Sequence, residues 1–257
     1  MLVRLTIPMI FGIMSMVLYN IVDTFFVGRL GATQLAALSF TFPVVLVISS
    51  LALGLGMGAS AAVSRAIGQG DRRRVTRLAT DSLLLALSIV AVAAGIGLLT
   101  IDPLFRALGA GEETLPYIRQ YMTIWYPGML FVVVPMVGNN CIRATGDART
   151  PGLVMIIGAG TNALLDPLLI FGLGPLPALG IRGAAAATLI GRSVTFIVAL
   201  SVLARRERLI DLRPGTFARV WESWKTVLHV GIPMAATRMI VPVGAGIVTR
   251  IVSDYGP

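Results

Sequence analysis

The 257-residue chain is 56% hydrophobic and 13% charged, with a mean hydropathy of +0.87; a soluble domain carries about 25% charged residues, so this balance points to a membrane protein and away from a water-soluble enzyme or binding module. The formal charge of +9 does not signal nucleic acid, because the 21 basic residues are scattered between apolar runs with no continuous basic face. A single cysteine, Cys141, excludes an intramolecular disulfide.

A helix needs about 20 apolar residues to cross the hydrocarbon core. Seven runs qualify, near 4–28, 36–68, 75–100, 115–143, 151–172, 183–204 and 226–252. The first exceeds a signal-peptide core of about 7–15 residues, contains Asn20 and Asp23 and lacks a cleavage pattern, so it reads as a permanent helix. No ten-residue stretch alternates with period two, which leaves an all-α, polytopic helical bundle. In the second run Gly54, Gly58, Ala62 and Ala66 form a small-residue stripe, as Gly183, Ala187 and Gly191 do in the sixth. Both predict close helix packing.

The fifth run holds TNALLDPLLIFG, an asparagine, an acid and a proline in otherwise apolar sequence. A charge at mid-membrane depth costs about 2.5–3.5 kcal/mol on insertion scales, so Asp166 calls for a role. Asn162 and Asp166 share a helix face at i, i+4, as do Asn20 and Asp23 at i, i+3. Both aspartates lie shortly before the same end of their spans, hence at like depth. Paired in a low-dielectric cavity they resist joint ionisation, and can take a proton or a cation with oxygen ligands. The alternative is two acids bonded between helices with no part in transport. Pro167 frees the carbonyl of Ala163, and Pro8 that of Arg4, which makes each a hinge or a tolerated kink.

Charge divides the links. Those on one side, from Arg4 through Arg65 with GQGDRRRVTR and RATGDART to ARRERLIDLRPGTFARVWESWK, hold 14 lysines and arginines, and the alternate links hold four. By the positive-inside rule the basic set and the N-terminus are cytoplasmic. Arg250 can snorkel to the outer interface, while Arg192 and Arg238 fall inside spans without an evident reason. Phe217, Val220, Trp221 and Trp224 recur at helical spacing, either on a surface helix or on a continuation of the seventh span.

Shifted by 225 residues, TIPM at 6–9 falls on GIPM at 231–234 and FVGRLGA at 26–32 on IVSDYGP at 251–257. Six spans separate the copies, so both enter the membrane in one orientation, a parallel-repeat plan known among transporters. The expectation is a chain that stops as its second half begins.

The stretches YNIVDTFFVGRLGATQLAALSFTFPV, LGLGMGASAAVSRAIGQGD, CIRATGDARTPG and NALLDPLLIFG with GAAAAT resemble the multidrug and toxic compound extrusion (MATE) family, closest to its DinF-like branch. The resemblance implies twelve helices in two six-helix lobes. Here 1–206 would be the N-terminal lobe, 207–225 a cytoplasmic amphipathic linker and 226–257 the first helix of a C-terminal lobe whose remainder is missing. It also implies export of an organic, cationic or amphipathic compound against H+ or Na+, with no other cofactor, across a prokaryotic inner membrane. Carried over by position, Asp23, Asp166, Asn162, Tyr121, Asn139 and Thr188 line the coupling and substrate cavity, and Asn20 joins them by its spacing to Asp23. Na+ would bind at Asp23, Asn162, Asp166 and Thr188, and Pro8 and Pro167 would act as hinges. A flippase for lipid-linked precursors is the alternative transporter. An intramembrane aspartyl protease is disfavoured, since Asp166 sits in ALLD and Asp23 in NIVD rather than in GxGD. Without a P-loop or a Cys/His cluster, neither ATP-driven nor zinc chemistry is expected.

Overall fold

In the computed structural model, residues 10, 14, 17, 18, 21, 22, 24–172, 177–211 and 216–253 are described. They are helical with short links and contain no strand. After a helical stretch at 24–28 come α1 (Ala32–Gly68), α2 (Arg72–Leu99), the short α3 (Ile101–Ala107), α4 (Leu115–Gly128), α5 (Leu130–Ala144), α6 (Arg149–Phe171), α7 (Ile181–Ser201), α8 (Phe217–Arg238) and α9 (Ile240–Ser253). A π-helical turn, Val202–Arg206, extends α7.

Six helical stretches, 32–68, 72–99, 115–144, 149–171, 181–206 and 217–253, are long and apolar enough to cross a membrane. They correspond to the second through seventh expected runs; the first lies largely outside the described residues, and with it Pro8, Asn20 and Asp23. The fourth run is divided at Met129, because Pro127 has no N–H to continue the ladder and Met129 N–H turns to the Tyr126 carbonyl at 3.1 Å. Phe217–Arg238 is one helix, so 217–225 continues the seventh span. The outward faces carry exposed Leu99, Leu164, Ile197 and Ile240, apolar surface that water would penalise and lipid accepts.

α1 is the hub, packed against α2, α4, α5, α8 and α9. Its glycine stripe is the seam with α8. A Cβ on Gly54 would lie 2.6 Å from Ala235 Cβ, and one on Gly58 2.3 Å from the Val227 carbonyl oxygen. On α7, a Cβ on Gly183 would meet the Leu169 carbonyl of α6 at 2.3 Å. Both stripes therefore serve backbone approach, as their spacing predicts. Beyond α6 the chain folds back, Leu179 and Gly180 donating to the Leu169 and Ile170 carbonyls at 3.0 and 3.1 Å. Gly172 permits this return: its φ is +69°, and a Cβ there would lie 2.4 Å from Ala178 N.

Candidate functional site

Asp166 lies on α6 five residues before Phe171, roughly 8 Å of helical rise from that end. It and Asn162 are completely buried. The i, i+4 spacing brings the Asn162 amide to donate to Asp166 Oδ1 at 3.2 Å. Asn162 Oδ1 is also buried, with no hydrogen-bond partner among the described residues. A carboxylate beside an amide oxygen with unused lone pairs is a donor set for a hard cation or a shared proton. The pair is held by close packing. A Cβ on Gly191 of α7 would come within 3.2 Å of Asn162 Cβ, and one on Gly158 within 2.1 Å of Thr195 Oγ1.

Tyr121 and Thr188 meet in a cavity of about 160 Å³ between α1, α4, α5 and α7, to which α5 contributes Val132 and Met136. Each wall is built by helical spacing. Tyr121 and Trp125 are one turn apart on α4, Thr188 and Arg192 one turn apart on α7, and Leu38, Thr41, Val45 and Ser49 form a stripe on α1. Thr24, from 24–28, closes one side. By helical rise Tyr121 and Thr188 are roughly 9–10 Å from the same end of the bundle as Asp166, and Arg192 lies a turn deeper, near the middle of the 181–206 span.

Among the expected residues, Asn162 and Asp166 thus form one buried pair, and Tyr121 and Thr188 share one cavity. Asn139 is buried on α5 outside the cavity lining, its Oδ1 without a partner among the described residues. Asp23 and Asn20 fall outside the described residues. The sequence reading missed Trp125, Thr41 and the placement of Arg192. Trp125 and Arg192 had a signal in their i, i+4 spacing from Tyr121 and Thr188, whereas Thr41 on α1 had none, and nothing in the pattern said which face looks into a cavity. It missed Asp81 as well, a buried acid in α2 whose backbone carbonyl accepts from Trp224 Nε1 at 2.9 Å. This contact ties α8 to α2.

At the basic end of the bundle, Asp147 caps α6. Its Oδ1 accepts from the Arg149 and Thr150 N–H groups at 2.9 and 3.1 Å, and Arg206 Nη2 approaches its Oδ2 at 3.2 Å. Arg206 Nη1 also donates to Thr150 Oγ1 at 2.7 Å, joining the π turn to the start of α6. Partial burial works to raise the Asp147 pKa, but the Thr150 hydroxyl, the two N–H groups and the Arg206 charge outweigh it and hold the carboxyl below its ordinary value.

The profile of the MatE family matches residues 8–168. The chain is 39% identical over 252 residues to a Shewanella oneidensis protein named FAD transporter, covering 98% of this chain and 56% of that one. It is 28% identical over 248 residues to the probable multidrug resistance protein NorM of Thermotoga maritima, covering 95% of this chain and 52% of that one. A solved structure, the outward-facing conformation of a multidrug resistance MATE family transporter of the MOP superfamily, superposes with a TM-score of 0.83 at 37% identity, over 92% of this chain and 52% of that one. The chain spans about half the length of the curated relatives it matches. With most of its length matched by the family profile and nearly all of its fold by a solved transporter, the chain belongs to the MatE family, whose members are membrane transporters and not enzymes.

Proposed function

We propose that the chain forms one half of a secondary active exporter that exchanges an organic compound for H+ or Na+. The observation that carries this reading is the fully buried Asp166, bonded to Asn162 within a span. An ionised carboxylate taken out of water is costly, and a proton or a cation neutralises it, so its occupancy can be tied to which way the protein faces. Asn162 Oδ1 would supply a further ligand to Na+, with Asp23 and Thr188 completing the site on the family resemblance, and Asn20 would stand beside Asp23 by helical spacing. The cavity lined by Tyr121 and Thr188 at similar depth would hold the substrate, and Asn139 would tune the neighbouring α5. Pro167, one residue past the acid, would allow α6 to bend. Residues 1–206 would make the first lobe and α8–α9 the start of the second, with the basic links and the N-terminus on the cytoplasmic side of a prokaryotic inner membrane. Relatives named for multidrug resistance and for FAD transport support an organic substrate.

The test uses the intact gene product in proteoliposomes. Gradient-driven export of ethidium should stop in Asp166→Asn while insertion and thermal stability persist, and imposing a pH or a sodium gradient separately identifies the coupling ion. Wild-type rates in the variant would make the acid structural.

A further inference from the structure

At the basic end of the bundle α1, α2 and α8 meet at one corner. α1 and α8 touch where a Cβ on Gly58 would lie 2.3 Å from the Val227 carbonyl oxygen, and α2 and α8 where Trp224 Nε1 donates to the Asp81 carbonyl at 2.9 Å. Seven residues are close to two helical turns, so a step of seven toward the basic end returns to the same helix face about 10 Å further on. From the first contact that step leads to Arg65 on α1 and Val220 on α8; from the second it leads to Arg74 on α2 and Phe217 on α8. Two arginines therefore stand at the mouths of two seams that are closed a little deeper in. Both are exposed, and Phe217 in the same layer is 77% exposed.

The depth of this layer is that of lipid headgroups. α2 carries no charge from Ser82 to Leu99, so Asp81 marks the edge of its apolar stretch. Headgroups extend roughly 5–8 Å beyond the hydrocarbon core, and an arginine about 10 Å past that edge reaches back into them on its long stem. Aromatic side chains favour this layer as well, and Trp221, one turn from Phe217, is exposed there. The two charges are also unbalanced: among the described residues neither Arg65 nor Arg74 pairs with a carboxylate, and the Arg74 guanidinium donates only to the neutral Gln69 Oε1, at 3.3 Å. Asp71, in the link between them, caps α2 by accepting from the Arg74 N–H at 3.0 Å. Of the chain's 12 acids only Asp23 and Asp254 are undescribed, and their neighbours Thr24 and Ser253 lie toward the opposite end.

We propose that this corner binds the headgroup of an anionic phospholipid, with Arg65 and Arg74 on the phosphate and Phe217 and Trp221 against the glycerol and upper acyl chain. Arginines just outside a span attract anionic headgroups, and the guanidinium fork suits a phosphate. A soluble acidic partner would use the arginines but leave the aromatic side chains unmatched at the hydrocarbon edge. The topology proposed above decides only which leaflet supplies the lipid; the site does not depend on export.

The experiment titrates dioleoyl phosphatidylglycerol and dioleoyl phosphatidylcholine into the intact gene product in a neutral detergent and counts bound lipid by native mass spectrometry. Wild type should prefer phosphatidylglycerol roughly 25-fold, since each arginine near the surface contributes about fivefold. Each of Arg65→Gln and Arg74→Gln should lower that ratio about fivefold, and the double variant should bring it to near one. Arg149→Gln with Arg205→Gln removes the same charge from exposed positions at the same end, on α6 and the π turn, and should leave the ratio unchanged. An equal loss in that control would signify diffuse surface charge and overturn the site, as would a wild-type ratio in the corner variant. Glycerol phosphate should displace bound phosphatidylglycerol at least about tenfold less well than the lipid itself, because it has no acyl chain to bury. Equal displacement would make this a soluble-phosphate site and overturn the lipid assignment. If the double variant does not insert, the single variants decide, and a wild-type ratio in both refutes the proposal. Export under a gradient by a wild-type protein without lipid preference refutes this proposal alone; preference in a protein that exports nothing under any gradient refutes only the exporter reading.

Discussion

Gly58→Ala is the sharpest test of the α1–α8 seam. A methyl at this position would sit 2.3 Å from the Val227 carbonyl oxygen, 3.0 Å from Gly231 N and 3.1 Å from Gly231 Cα, whereas ordinary contact begins near 3.4 Å. All three obstacles are backbone, so no rotamer change can make room, and α8 must retreat from α1 by about 1 Å. Overpacking of this kind costs roughly 1–3 kcal/mol, against a gain of about 1 kcal/mol from replacing glycine in a helix. Gly95→Ala supplies the control. It lies within α2 with nothing within 4 Å of the added methyl, and should therefore gain up to about 1 kcal/mol. Thermal unfolding of the two variants in matched nanodiscs should move in opposite directions. If Gly58→Ala is stabilised as much as Gly95→Ala, the helices are not in backbone contact and the seam described above is wrong.

At the basic end, Asp147→Asn should cost about 1–3 kcal/mol, because it weakens a charge-assisted cap and removes the Arg206 ion pair together. Since the Asp147 pKa is depressed on folding, the contribution is complete above the ordinary carboxylate value near 4 and is lost as pH falls through the lower folded value. The wild-type minus mutant stability difference should accordingly be flat from pH 5 to 8 and shrink only below about pH 4; a decline beginning at pH 6 would implicate another group. For orientation, Gln69→Cys should react with an impermeant maleimide only from the cytoplasmic side and Glu113→Cys only from outside, against a background in which Cys141 is buried. The reverse pattern would invert the proposed topology. Gly191→Ala adds a methyl 3.1 Å from the Gly158 carbonyl and 3.2 Å from Asn162 Cβ. It should shift the ion-concentration dependence of transport more than it shifts thermal stability, and an unaltered ion dependence would separate α7 from the Asp166 site.

Legibility in the sequence followed the range of the forces involved. Span positions rest on local hydropathy, and five of the expected runs are helical within a few residues of the expected bounds, while the seventh begins nine residues earlier, at Phe217. The Asn162–Asp166 bond rests on helical spacing alone and was equally readable. The division of 115–144 at Met129 had Pro127 as its signal, but proline in a span predicts a kink as readily as a break. Which helix answers a small-residue stripe could not be read. α1 meets α8 across more than 170 residues of sequence, and Gly54 carries no mark of Ala235. Cavity walls were hidden for a further reason. In a soluble helix polarity separates the core face from the solvent face, whereas in a bilayer both faces are apolar, so Trp125 and Leu38 look like any packing residues until four helices are assembled around them.

That assembly sets Asp166 and the cavity of Tyr121 and Thr188 on two faces of one helix, while Asp23 lies outside the described residues. Arg192 and Thr188 face the space between α4 and α1, while Gly183 and Gly191 on the same helix press against α6 and Asn162. α7 is thus a common wall with a polar site on each side. On the exporter reading proposed above, ion and substrate need not touch to influence one another, because any displacement of Asn162 on neutralisation of Asp166 would meet the backbone of Gly191 on the helix that also carries Thr188. A close-packed interface has little slack and passes such shifts on as rigid movements.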